Sequence, residues 1–194
     1  MNMKSKLGRD FYLQPTLAVA GALIGKEFIL VRGGHTLSGR IVETEAYIGE
    51  DDPACHARFG KTGRNAVMYG PGGFTYVYFV YGMYNMLNFV TEGEGTPAAV
   101  LIRALEPLEG LAIMRKRRGH TEVRELTSGP GKLCQAFGLT TKDTGLDLTG
   151  SVAYVTDGGF RPRKIVRTPR IGIRKGREML WRFHDAESRS VSGR

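Results

Sequence analysis

Residues 39–103 gather the side chains that could do chemistry. The apolar run GRIVETEAY carries Glu43, Glu45 and Tyr47, and DDPACHAR follows with a lone His56. KTGRN sets Lys61, Thr62, Arg64 and Asn65 around a glycine. FTYVYFVYGMYNMLN brings Tyr76, Tyr78, Tyr81 and Tyr84 together with Phe74, Phe79 and Asn88, and VLIRAL places Arg103 among apolar neighbours. An acid to activate a water, rings to stack a flat heterocycle and cations to hold phosphate are what an enzyme needs to act on a nucleobase outside its helix.

Each of these residues also has a plainer reading. In an extended chain Glu43, Glu45 and Tyr47 share one face, with Val42, Thr44 and Ala46 on the other. Acids there are either exposed surface groups or, if half-buried, a general base for water. Glu43, Glu45, Asp51, Asp52 and His56 could also hold a metal, but no ligand spacing supports one, and no metal or other cofactor is expected. His56 is a loop strut or a neutral ring set against a base. The tyrosine strand is a sheet core with hydroxyls at its rim, or a base sandwich with Tyr81, just before Gly82, as a wedge. Asn88, between Leu87 and Phe89, is a buried strut or a reader of a base edge. Arg103 calls for a carboxylate partner, with Glu45 the candidate. KTGRN is a phosphate grip or an ordinary basic turn.

The elements that must position these groups are strand-rich. Pro15 and Thr16 open a helix with Leu17, Ala20, Ala22, Leu23 and Ile24 buried. EFILVR (27–32) and TLSGRIVETEAY (36–47) form a hairpin, and residues 49–73 form a long loop. Strands follow at 74–82, 83–90 and 98–105. Pro107 opens a helix through Arg118, and SGPGKLCQAF (128–137) is an N-capped helix whose start could meet a phosphate. Further strands are expected at 151–157, 163–173 and 180–184. Residues 185–194 form a polar tail, ordered only on contact with the body. No repeat or linker divides the chain, so residues 1–194 read as a single domain. The fold class is α+β, a curved, mainly antiparallel, open barrel-like sheet flanked by helices.

Lysines and arginines total 28 against 19 acids, a formal charge of +9. Arg115–Arg118 and the arginine-rich stretch 161–182 concentrate that excess, which points to a polyanion such as nucleic acid. Two cysteines, Cys55 and Cys134, form no Cys-x-x-Cys pair and are expected reduced. Leu17–Ile24 is too short for a signal sequence or a membrane span.

The segments GRIVETEAY, the His of DDPACHAR, Arg64–Asn65, YVYFVYGMY, Asn88, LIRALEPLEG, SGPGKLCQA and RIGI resemble, in order and spacing, the alkyladenine (3-methyladenine) DNA glycosylases of mammalian type. The resemblance covers most of residues 39–173 and implies a compact bacterial member. It implies that Glu45 activates water, that Arg103 holds that water and the carboxylate with the Ile171 carbonyl, and that Tyr47, His56, Tyr78 and Asn88 enclose the base. Tyr81 would intercalate, and Lys61, Thr62, Arg64 and Lys132, with the arginine-rich C-terminal third, would grip the DNA backbone. The implied partner is double-stranded DNA with damaged purines: 3-methyladenine, 7-methylguanine, hypoxanthine or ethenoadenine. The implied enzyme is a cytoplasmic, nucleoid-associated monomer without a lyase step. Gly63 stands where mammalian members carry Pro, and Asn85, Met86 and Leu87 also depart from the mammalian pattern. Two other readings are an RNA or single-strand binder and a metal-dependent nuclease.

Overall fold

The structure is a computed structural model and describes residues 5–193. Its elements are β1 (Ser5–Lys6), α1 (Arg9–Tyr12), α2 (Thr16–Ala22), β2 (Glu27–Arg32), β3 (His35–Ile48), β4 (Thr75–Val80), β5 (Tyr84–Val90), β6 (Ala98–Glu109), α3 (Leu111–Arg118), α4 (Pro130–Phe137), β7 (Ala153–Asp157), β8 (Ile165–Thr168) and β9 (Arg182–Asp185). The strands form one open antiparallel sheet in the order β1-β7-β2-β3-β6-β5-β4, with β9 also paired to β3 and β8 to β9. One α+β domain with a few flanking helices results, as the strand-rich sequence implied.

The 14-residue β3 organises the sheet. His35–Arg40 pair with β2, Glu43–Glu45 with β9, and Ser38–Ile48 with β6. Three register shifts interrupt the β3–β6 ladder, the first between Ser38 and Gly39, which leaves Leu108 unpaired, and two near the site. Ile41 faces Leu105 and Glu43 faces Ala104, which leaves Val42 unpaired. Thr44 then faces Ile102, which leaves Arg103 unpaired. Bulges bend a strand and re-aim side chains. Here one sits beside Glu43 and the other is Arg103 itself.

Each face of the sheet is covered differently. On one face Ile41, Ala46, Val100, Ile102 and Leu105 join Val19, Leu23, Met114, Leu133 and Phe137 of the helices in the main core. Thr44 lies on this side, its hydroxyl donating to the Ala20 carbonyl. The other face carries two smaller clusters. Tyr76, Val90 and Ala99 pack under Cys55, Ala57 and Met68 of the 49–73 loop. Val42 and Ala104 pack under Val191 near the C-terminus.

Four expectations need correction. Pro107 lies in β6, opposite Gly39 at a register shift, where a missing N–H is tolerated. The helix starts only after Gly110, whose φ of 79° and close approach to the Thr36 carbonyl suit glycine alone. The strand expected over 163–173 stops at Thr168, because Pro169 cannot continue the ladder. α4 has Gly129 at its cap with no side-chain bond, since Ser128 donates to Glu125 instead. In α2, Ala22 is exposed and Leu17 only half-buried, because the helix turns that side to solvent. The tail does make contact with the body: Asp185, Ser188, Ser190, Val191 and Ser192 are buried.

Candidate active site

β3 and β6 set the floor. Glu43 and Glu45 are both fully buried and point to the non-helical face, together with Tyr47. Glu43 is saturated. Its Oε1 accepts from Arg103 Nε at 2.9 Å, Arg182 Nε at 2.6 Å and Ser192 Oγ at 2.9 Å. Its Oε2 accepts from the Ser192 N–H at 2.7 Å. Burial would raise this carboxyl, but Arg103, the Ser192 N–H and Arg182 outweigh it and hold it below its ordinary 4.5. The expected Arg103–Glu45 pair is therefore the lesser contact, at 3.3 Å, and Glu43 is the principal partner.

Glu45 is bound differently. Its Oε2 accepts from the Tyr47 hydroxyl at 2.8 Å, and its Oε1 accepts from the Ile171 N–H at 2.7 Å. Ile171 thus reaches the acid through its amide nitrogen. Burial, then Glu45, raises the Tyr47 phenol well above 10, so it stays a donor.

Behind Tyr47 lies a buried ion pair that sequence reading missed. Arg170 donates to both oxygens of Asp52 at 2.6 and 2.8 Å, with both side chains 0% exposed. Its guanidinium lies 4.7 Å from the Tyr47 ring centre and 5.0 Å from that of Trp181. Arg170 and Arg182, which the basic run had assigned to DNA, are struts.

The aromatic wall comes from β4 and the loop. His56 Nδ1 lies 3.0 Å from the Tyr76 hydroxyl, and its ring stands edge-on to Tyr78 at 4.4 Å. Burial, then Arg64, pushes the imidazole down to about 4, so the ring is neutral near pH 7. Asn88 spends its amide donors on the Tyr76 and Met86 carbonyls. Tyr47, His56, Tyr78 and Asn88 do meet around one recess, but its volume is only about 20 Å³, room for about one water. His56 and Tyr78 also line the open cleft beside it, of about 320 Å³, with Tyr81, Met86, Arg103, Pro130 and Ile171.

The rim carries the wedge candidate and the basic loop. Tyr81 is 73% exposed with φ of 55°, a strained conformation for a bulky residue. Phe79, Met83 and Tyr84 are exposed beside it. Lys61, Thr62 and Arg64 are exposed. Asn65 is not a phosphate ligand here: its side chain accepts from Thr62 and donates to the His56 and Gly60 carbonyls. Lys132 is paired with Glu125 at 2.7 Å. A metal reading loses two of its acids, since Glu43 and Asp52 are taken by arginines.

The family model for methylpurine-DNA glycosylase (MPG) matches residues 10–189. The chain belongs to the methylpurine-DNA glycosylase family. Among its relatives is a protein of Methanocella arvoryzae, 50% identical over 192 residues, spanning 97% of this chain and 96% of its own. One from Chlorobaculum parvum is 48% identical over 96% of this chain and 90% of its own, and one from Carboxydothermus hydrogenoformans 47% over 96% and 98%. Each is provisionally named a 3-methyladenine DNA glycosylase. As a member of this family the chain is a DNA glycosylase, a hydrolase of base-excision repair. No helix among the described residues of this glycosylase is long and apolar enough to cross a membrane.

Proposed function

We propose that this glycosylase excises alkylated or deaminated purines (3-methyladenine, 7-methylguanine, hypoxanthine, ethenoadenine) from double-stranded DNA with a water activated by Glu45. The observation that carries this reading is the buried Glu45 carboxylate, held by Tyr47, Ile171 and Arg103 on the floor beside the 320 Å³ cleft. An acid fixed by three donors is preorganised, and one in a dry site acts strongly on a developing positive sugar.

The extruded purine enters the cleft and stacks against the Tyr47, His56 and Tyr78 rings. A neutral His56 adds no positive charge that would repel a cationic alkylated base. Reaching Asn88 requires the recess to widen, since it holds only a water's volume. Asn88, once reached, disfavours guanine through its exocyclic amine. Tyr81 fills the gap left in the duplex, and Lys61, Thr62, Arg64 and Lys132 meet phosphates, Lys132 by leaving Glu125. The N-glycosidic bond breaks with its electron pair on the departing purine, the sugar's anomeric carbon takes the hydroxyl of water, and Glu45 takes the water's proton. A cationic alkylated purine leaves neutral, a neutral lesion leaves as an anion that takes up a proton from solvent, and a free base and abasic site remain. No lyase step or cofactor is involved, and the enzyme works as a monomer.

The test is release of free base from duplexes carrying hypoxanthine or 3-methyladenine. Glu45→Gln should reduce release by roughly a thousandfold or more while still binding the duplex. A fully active Glu45→Gln would refute the water-activating role.

A further inference from the structure

The C-terminal segment carries a function that its polar sequence hides. The family-model match ends at residue 189, yet the chain continues into the floor of the site. Val191 packs on Val42, the unpaired residue of one bulge, and on Ala104, the chain neighbour of Arg103. Ser188 donates to Glu106, and Ser190 is held by Ser188. Ser192 then sits between the two charged groups under the pocket. Its N–H and hydroxyl both donate to Glu43, and its hydroxyl oxygen accepts from Arg103 Nη2 at 3.1 Å.

The Arg103 guanidinium is a rigid plane. Glu43 holds its Nε edge and Ser192 holds Nη2, while the third nitrogen, Nη1, faces Glu45. A tilt at either held edge swings Nη1 away from Glu45. Without the Ser192 oxygen the plane keeps one side-chain acceptor below and is free to rotate about it. Without Glu43 Arg182 loses its buried counter-charge, and Arg103 keeps only the 3.3 Å contact to Glu45.

We infer that Ser192 and Glu43 are positioning residues, and that the C-terminal strap fixes Arg103 and through it the water-activating carboxylate of Glu45. The inference rests on the role proposed above for Glu45. Neither residue need touch the substrate, so their effect falls on the chemical step and not on DNA capture.

The experiment uses full-length Ser192→Ala and Ser192→Thr, assayed well below melting transitions fixed by circular dichroism. Single-turnover base release is measured on the lesion duplex that the wild-type enzyme processes, and affinity is measured on abasic-site DNA. Ser192→Ala should slow release roughly 10- to 100-fold, the cost of a small misplacement of a reacting group. Its affinity for abasic-site DNA should stay at the wild-type level, and Ser192→Thr, which keeps the hydroxyl, should restore most of the rate. Release by Ser192→Ala within twofold of wild type overturns the inference. So does an equal loss of rate and affinity, or a loss that threonine leaves unrepaired. Glu45→Gln run alongside separates the two readings. If it is inert while Ser192→Ala is fully active, the strap is wrong and the water role stands. If it is active, both fall.

Discussion

At the floor of the pocket, Glu43 receives four hydrogen bonds from Arg103, Arg182 and Ser192, and every atom involved is buried. At the rim, 73%-exposed Tyr81 is held in a left-handed conformation among exposed Phe79, Met83 and Tyr84. The floor uses its hydrogen-bonding capacity internally, and the rim leaves apolar surface and backbone strain unrelieved. Charge that must act on one atom of a substrate has to be fixed before the substrate arrives. Surface that must enter a duplex has to be available, and a strained conformation there is what a functional wedge tolerates.

The largest expected effect comes from breaking the floor. Arg182→Met leaves Glu43 buried with one cation fewer, and should cost about 3 kcal/mol of unfolding free energy, the lower end for a broken buried pair, because Arg103 and Ser192 remain. Denaturant titration reads this directly. The pH dependence sharpens it. A carboxyl held below its ordinary 4.5 stabilises the fold above that pH and loses its contribution as pH falls, because the unfolded chain takes up the proton first. Arg182→Met should weaken this acid dependence. A variant as stable as wild type at pH 7, with an unchanged acid limb, would show that the floor does not depend on its second arginine.

The floor and rim were not equally legible in the sequence. Strand parity places Glu45 and Tyr47 on one face, because period-2 alternation survives through that stretch. It fails for Val42, which packs with the C-terminal strap, since a bulge advances the chain by one residue there. The partner of Arg103 was misassigned for the same reason: the second bulge turns its guanidinium first toward Glu43. Arg170 and Arg182 were hidden in a basic run, because composition cannot separate an arginine paired with a distant acid from one in solvent. SRSVS reads as a tail because serine is polar, yet a buried carboxylate supplies the acceptors that make its burial favourable. The turn at Tyr81-Gly82 was visible from the glycine, whereas the positive φ of the tyrosine itself was not.

At the rim, Tyr81→Gly should separate stability from function. Glycine adopts a φ of 55° without penalty, so relief of the left-handed strain should stabilise the protein by about 1 kcal/mol. The same change removes the proposed wedge. Capture of a flipped ethenoadenine, followed by its fluorescence, should weaken about tenfold, a loss of one inserted ring's stacking. If capture is unimpaired, the exposed ring serves another purpose and the contrast between floor and rim loses its functional half.

The smallest effect lies between the two regions, at His56. It is packed against Tyr78 and Tyr76 on the floor side, and it is exposed enough to feel Arg64 at the rim. Burial comes first in lowering its pKa from 6.5 to about 4, with Arg64 second. The unfolded chain therefore protonates before the folded one, so His56 contributes stability above about pH 6.5 that drains away as pH falls toward 4. Imidazole resonances followed by NMR should show His56 still neutral at pH 5.5. Arg64→Ala should move the midpoint up only slightly, because burial dominates. A shift most of the way back to 6.5 in that variant would mean that the rim's charge, and not the floor's packing, governs the ring.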